Sequence, residues 1–233
     1  MTLPSSIQLR DAVAQIVPDV QARIGDGRRQ KPVSERSLWR EMVCCILSSQ
    51  VPYSMAVAAA RRIDVDGILC GSRIADRGSI EGRIFGILAT PLDLENGPRR
   101  YRFPRIRAFQ IGGAWAAFRD QRISDFVESS DDSEHLRLQL VNLVPGLGPK
   151  QASMFLRNIG LTYELAVLDR HVLRYMSAVG LANNCPKAIV SLSGYRRCEA
   201  NLRVHADDLG YPVGIVDWAI WIVMKAVVGM EHG

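Results

Sequence analysis

Residues 140–175 read LVNLVPGLGPKQASMFLRNIGLTYELAVLDRHVLRY, and the order of residue types along them dictates two helices joined by a tight turn, followed by a third helix. The leading helix carries Leu136, Leu140, Leu143 and Val144 at helical spacing behind a capping Ser133. It has to stop at Pro145, which has no N–H to continue the ladder. Gly146 can take the left-handed conformation that turns the chain, and Leu147 can plug the space between the helices. Gly148 then precedes Pro149 at the first position of the next helix, where a missing N–H costs nothing. That helix, at about 149–159, packs through Ala152, Phe155, Leu156 and Ile159 and ends at Gly160. The one after it, at about 170–179, repeats Val172, Leu173, Met176 and Val179 behind Asp169, a natural N-cap.

Working outward, helical periodicity continues in both directions. Leu9, Val13, Ile16 and Val17 form one stripe, which Pro18 is expected to bend or end. The stretch 25–32 (GDGRRQKP) reads as a loop. Ser34 or Ser37 caps a helix carrying Leu38, Met42, Cys45 and Ile46, and Pro52 opens an alanine-rich helix over Ser54 to Arg62. Two helices are expected within 64–100, one around Ile80 to Leu88. From Tyr101 to Phe118 the spacing puts Phe103, Ile106, Phe109, Gly113 and Ala117 on one side, with Arg102, Arg105 and Arg107 opposite. Further helices are expected at about 195–209 and 214–229. No stretch alternates as a strand does, and Val33 or Ala166 to Leu168 are at most short extended pieces. The fold class is all-α.

Composition bounds the rest. A chain of 233 residues, nearly half of them hydrophobic, can bury a sizeable core as one large domain or two small ones. No apolar run reaches the roughly 18–20 residues of a membrane helix. The nearest, Ile215 to Met230, is broken by Asp217 and Lys225, and the first ten residues lack a signal pattern, so cytoplasmic residence is expected. The five cysteines show no paired spacing for a disulfide framework, zinc or an iron–sulfur cluster, so no metal or cofactor is implied. A net charge of +5 suits a polyanionic partner without demanding one. Four lysines (Lys31, Lys150, Lys187, Lys225) stand against 25 arginines, which leaves few candidate amine nucleophiles.

The turn at Gly146, Leu147 and Gly148 points backbone N–H groups outward at a helix N-terminus, where the dipole also favours an anion; on DNA it would grip one phosphate without reading sequence. The plainer alternative is an ordinary interhelical turn. Lys150 falls in the first turn of the following helix, where the dipole disfavours an ammonium and burial would supply a neutral amine able to attack an electrophilic carbon. Its alternative role is a surface cation on a phosphate. Asp169 at a helix N-terminus stays ionised, and beside Lys150 it could stabilise positive charge developing on a sugar; otherwise it is a cap alone.

PGLGPKQAS and LDRH resemble the hairpin and aspartate segments of the helix-hairpin-helix, Gly/Pro-rich loop and aspartate superfamily of DNA glycosylases. KQASMFLRNIG followed by AVLDRHVLR is most similar to the type-2 8-oxoguanine DNA glycosylase/AP lyases, and weaker similarity extends to LWREMVCCILSSQVPYSMA and YRFPRIRAF. The resemblance implies one glycosylase domain over 1–233 with two helical subdomains flanking a cleft. The hairpin and catalytic segment would occupy about 133–179, and the N- and C-terminal helices would form the second subdomain. It implies that Lys150 attacks C1′ of the damaged nucleotide and forms a Schiff base, with Asp169 activating it. The base must first leave the stack. Gln50 matches a position that fills the emptied stack, against an alternative as an exposed helix-end amide. His171 would hold a phosphate or the Asp169 loop, and Trp218 and Trp221 would line the base pocket or simply pack. The implied partner is double-stranded DNA with a damaged base, met by a monomer away from any membrane.

Relatives of this pattern end in a lysine whose terminal carboxylate region contacts the base, whereas this sequence ends Met230-Glu231-His232-Gly233. Two alternatives therefore stay open. One is a glycosylase-fold protein of bacterial antiphage defence, acting on a different modified nucleobase or nucleobase conjugate. The other is a DNA-binding module without catalysis, gripping phosphates through the hairpin alone.

Overall fold

A computed structural model describes residues 4–24, 33–69, 76–183, 185, 189 and 191–231, with 228–231 as backbone only. The 25–32 loop, Cys70, Lys31, Lys187 and the terminal His232-Gly233 lie outside the described residues. In chain order the elements are α1 (Ser6–Ile24), α2 (Glu35–Leu47), α3 (Tyr53–Asp66), α4 (Arg77–Ala89), β1 (Leu92–Leu94), β2 (Gly97–Arg99) and α5 (Pro104–Ala117). They continue with α6 (Ile123–Val127), α7 (Ser133–Leu143), α8 (Pro149–Asn158), α9 (Arg170–Ala178), α10 (Leu192–Leu209) and α11 (Val213–Glu231). Two compact units result: residues 30–159, and residues 1–29 together with 160–233.

In the 30–159 unit, α2 is the central helix. It buries Leu38, Trp39, Met42, Val43, Cys44, Cys45, Ile46 and Leu47, more than one face, and packs against α3, α5, α6 and α8. Ser34 caps it, its Oγ accepting from Ser37 N at 3.2 Å. Glu35 in its first turn reaches across to cap α6, accepting from Ile123 N at 2.8 Å and Ser124 N at 3.1 Å. Asp132 caps α7 instead of the expected Ser133, because its Oδ1 reaches both Glu134 N and His135 N. Leu143, expected in the stripe of α7, is 40% exposed.

Two expectations for this unit are corrected. Within 64–100 the described residues hold one complete helix, α4, and an antiparallel hairpin, β1–β2, that the pattern did not announce. Each strand is three residues long, too short to show alternation; Glu95-Asn96 make the turn, and Gly97 opens β2 at φ +91°. In α5 the inward side differs from the expected one: Ile106 and Phe109 are more than half exposed, and Arg107 is buried with Ala108, Ile111 and Ala114, while Gly113 is buried and Arg105 exposed as expected. Arg107 turns inward because acceptors wait for it there, Ser49 O at 2.9 Å and Gln110 Oε1 at 2.6 Å.

The other unit is built from both ends of the chain. Pro18 does not end α1, which runs on to Ile24, because Val20 is buried with Leu9, Val13 and Val17 in the core of this unit. Tertiary burial there outweighs the lost hydrogen bond. Arg10 of α1 donates to Val179 O at the end of α9 at 2.9 Å. Among the described residues no single helix is long and apolar enough to cross a membrane. α10 and α11 are apolar enough only as a pair, and they bend by 93° at the break between them. Their buried residues, Leu202, Val216 and Ile220 among them, pack in the core of this unit.

Within that core the Tyr175 hydroxyl and His205 Nε2 lie 2.9 Å apart. Burial first, then the Arg10 charge, hold the His205 pKa below its ordinary 6.5, with Asp208 pulling the other way. The folded state therefore binds a proton less readily than the unfolded chain. The stabilisation is present above the unfolded pKa and is lost as pH falls below it. Melting temperature should accordingly drop between about pH 7.5 and about pH 5.5, and drop less in His205→Gln, as thermal unfolding followed by circular dichroism will show.

Candidate active site

The hairpin forms as its residues require. α7 ends at Leu143, and Val144 closes the helix with its N–H on Leu140 O at 2.9 Å. Gly146 sits at φ +89°, and a Cβ there would meet the Gln110 side chain at 2.7 Å, so conformation and space both demand glycine. Leu147 is 2% exposed beneath the turn, worth about 2 kcal/mol of burial. Gly148 is the N-cap of α8, with no side chain to cover the first amides, and Pro149 opens the helix. Arg137, wholly buried in α7, ties the two helices together by donating to Ser153 Oγ of α8 at 3.1 Å and pairing with Glu134.

Lys150 is half-buried at the second position of α8. α2 flanks this helix: Glu41 accepts from Asn158 Nδ2 at 2.7 Å and from Cys45 Sγ at 3.5 Å. Burial, then the charge of Glu41, push the Cys45 thiol well above its usual range, and the charge of Lys150 opposes that rise. Cys44 is likewise pushed up to about 12 by burial, so both thiols stay protonated and unreactive.

Asp169 lies in the other unit as the N-cap of α9. Its Oδ1 accepts from His171 N at 2.8 Å and Val172 N at 3.0 Å, so the cap occupies one oxygen and leaves Oδ2 uncommitted to it. The approach to Asp169 is a segment without regular secondary structure, Ala166 to Leu168, whose three successive N–H groups all go to side chains. Ala166 N donates to Glu199 at 2.7 Å, Val167 N to Asp217 at 2.5 Å and Leu168 N to the Tyr195 hydroxyl at 2.9 Å. The Tyr195 hydroxyl in turn donates to Ala166 O at 2.8 Å. Periodicity did not single out these three residues; the one available sign was Asp217, an acid inside an apolar helix. Tyr195→Phe keeps the shape of the ring but strands a buried N–H and a buried C=O. It should cost about 1–3 kcal/mol of stability in urea unfolding and slow turnover, because Asp169 loses its support.

His171 is 9% exposed and takes Arg170 Nε on its Nε2 at 3.4 Å. Burial lowers its pKa; Asp169 raises it, and Arg170, Arg174 and Lys225 lower it further, so the ring is held neutral. A buried neutral imidazole suits holding the Asp169 loop better than gripping a phosphate by charge. On α11, Trp218 is 36% exposed and Trp221 half-buried, with Lys225 Nζ 4.6 Å from the Trp221 ring centre. Neither tryptophan belongs to the buried core, so aromatic surface remains accessible on this helix.

Gln50 is exposed in the turn after α2 and is the one non-glycine residue at positive φ, +63°, among those described. Just before it, Leu47 O accepts from the Tyr101 hydroxyl at 2.6 Å and Ser49 O from Arg107 Nη2 at 2.9 Å. The structure thus groups Lys150, the hairpin glycines, Leu147 and Gln50 in one unit, and Asp169, His171, Trp218 and Trp221 in the other.

An all-helical chain that turns on Pro-Gly-Leu-Gly-Pro, with a lysine at the head of the second helix and an aspartate capping the next, has the fold of the helix-hairpin-helix DNA glycosylases. A family model described as 8-oxoguanine DNA glycosylase matches residues 89–211. An 8-oxoguanine DNA glycosylase/AP lyase of Metallosphaera sedula is 33% identical over 208 residues, which span 89% of this chain and 92% of the relative. The crystal structure of the Methanocaldococcus jannaschii 8-oxoguanine DNA glycosylase superposes with a TM-score of 0.70 at 26% identity, covering 94% of this chain and 95% of that one. The same enzyme in complex with a 15mer DNA containing 8-oxoguanine superposes with a TM-score of 0.70 at 25% identity, covering 94% and 98%. The chain belongs to the 8-oxoguanine DNA glycosylase family.

Proposed function

We propose that this protein excises 8-oxoguanine from duplex DNA and then cleaves the abasic strand, with Lys150 as nucleophile and Asp169 as its carboxylate partner. The observation that carries the proposal is the pair itself. Within the stretch matched by the family model, a lysine heads the helix after the Pro-Gly-Leu-Gly-Pro hairpin, and an aspartate with an oxygen outside its capping bonds stands at the end of a braced segment. Relatives named for 8-oxoguanine excision favour this reading over a defence-associated or binding-only protein.

The amides at Gly146 to Lys150 hold a phosphate near the lesion while the target base leaves the stack. Gln50 occupies the space left behind, and Trp218 and Trp221 offer the extruded base their ring faces. His171 keeps the Asp169 loop in place. Neutral Lys150 Nζ attacks C1′; the glycosidic bond breaks, its electron pair leaves on the base, and the base takes up a proton. Asp169 stabilises the positive charge that develops on the sugar. Of the two amine protons one makes good the departing base and the other passes to O4′ as the C1′–O4′ bond breaks and the ring opens to the Schiff base. Removal of a 2′ proton then expels the 3′ phosphate, and water releases Lys150. The protein acts in this scheme as a monomer.

Borohydride reduces the Schiff base to a stable amine, so trapping tests the proposal directly. The expected result is a covalent adduct with duplexes carrying 8-oxoguanine or an abasic site and none with undamaged DNA. An adduct with the abasic site alone would keep the lysine chemistry and overturn the assigned base.

A further inference from the structure

We infer that Arg107 is a positioning residue that couples the Gln50 turn to the hairpin turn at Gly146, so that one buried guanidinium sets both DNA-facing turns of the 30–159 unit. The inference rests on the excision reading above for what the two turns do. The coupling itself rests on geometry.

Arg107 is 6% exposed, although it stands on the first turns of α5 among exposed arginines. Burying a guanidinium is expensive, and a carboxylate usually offsets the cost. None does so here. Nη2 donates to Ser49 O at 2.9 Å, Nη1 donates to Gln110 Oε1 at 2.6 Å, and Nε has no partner. A buried cation spent on a backbone carbonyl and an amide oxygen holds those two groups in register, and both lead to a turn.

On one side, Ser49 O lies at the open end of α2, where helical carbonyls lack partners, and the next residue is Gln50 in its left-handed conformation. A non-glycine residue keeps that conformation when its neighbours over-determine it. Arg107 on Ser49 O and Tyr101 on Leu47 O do so. On the other side, the Gln110 side chain lies against Gly146: its Cδ, Oε1 and Cβ are the atoms nearest to where a Cβ of that glycine would stand. The path Ser49–Arg107–Gln110–Gly146 is continuous, and each end is a turn with positive φ.

A double-mutant cycle tests the coupling. Base extrusion is read from the fluorescence of a 2-aminopurine placed beside 8-oxoguanine in a duplex, and excision is read as kcat/KM on the same duplex. Arg107→Met should lower both by about tenfold in the wild-type background and by only about twofold when Gln50→Ala is already present. Arg107→Lys, which keeps one donor, should recover part of the extrusion signal. Equal effects in the two backgrounds, or a lower melting temperature with an unchanged aminopurine signal, would overturn the inference. Should Arg107→Met not fold, Gln110→Met cuts only the link to the hairpin and must show the same non-additivity with Gln50→Ala; additivity there overturns it equally. Wild-type excision in the same assay separates this outcome from failure of the substrate assignment.

Discussion

Lys150→Ala is expected to abolish the borohydride-trapped adduct and to slow base release by about a thousandfold or more, while duplex affinity changes by no more than about twofold. The size follows from the role. A nucleophile that forms the intermediate has no substitute within the site, so its removal leaves only what binding and electrostatics provide. The fold should tolerate the change, because Lys150 is half-buried at the second position of α8, outside the apolar set from Ala152 to Leu156 that anchors the helix, and alanine is a good helix former. The competing role for Lys150, a point charge on a phosphate, makes an opposite pair of predictions. The slope of log affinity against log salt would then fall by about 0.9, and turnover would drop no further than binding does. Measuring trapping and salt dependence on one preparation decides between the two roles.

Asp169 is the second large effect, and it needs two variants because it does two things. As a cap it gives Oδ1 to His171 N and Val172 N; as a carboxylate it supplies the charge proposed to stabilise the sugar cation. Asparagine caps about as well as aspartate, so Asp169→Asn should keep the melting temperature and still slow base release by about a hundredfold to ten-thousandfold. Asp169→Ala should lose the same activity and, in addition, about 1 kcal/mol of stability in urea unfolding. If Asp169→Asn excises as fast as wild type, the residue is a cap and nothing more.

Local chemistry was legible in the sequence, and it was legible where a few adjacent residues decide the outcome. Pro145 ends α7, Gly146 is left-handed, Pro149 opens α8, and Ser34 and Asp169 cap their helices. Each of these is a φ restriction, a missing N–H or a side-chain oxygen within three residues of the amide it serves. Where a local rule met tertiary burial, it lost. Pro18 stayed inside α1, and in α5 Ile106 and Phe109 are exposed while Arg107 is buried on Ser49 O and Gln110 Oε1.

What the sequence determined by itself, then, is the all-helical class, the hairpin, and the placement of Lys150 and Asp169 at the heads of their helices. All three rest on backbone constraints contained in short runs of chain. Only the tertiary structure decided which polar side chains are buried and what they hold. Arg107 meets Ser49 across 58 positions, Asp217 meets Val167 across 50, and Tyr195 meets Leu168 across 27. A buried polar group is stable only if a partner waits for it, and no local periodicity records a partner so far along the chain. The candidate side chains could be placed at the heads of their helices from the sequence, but the long-range contacts around them appear only once the chain is folded.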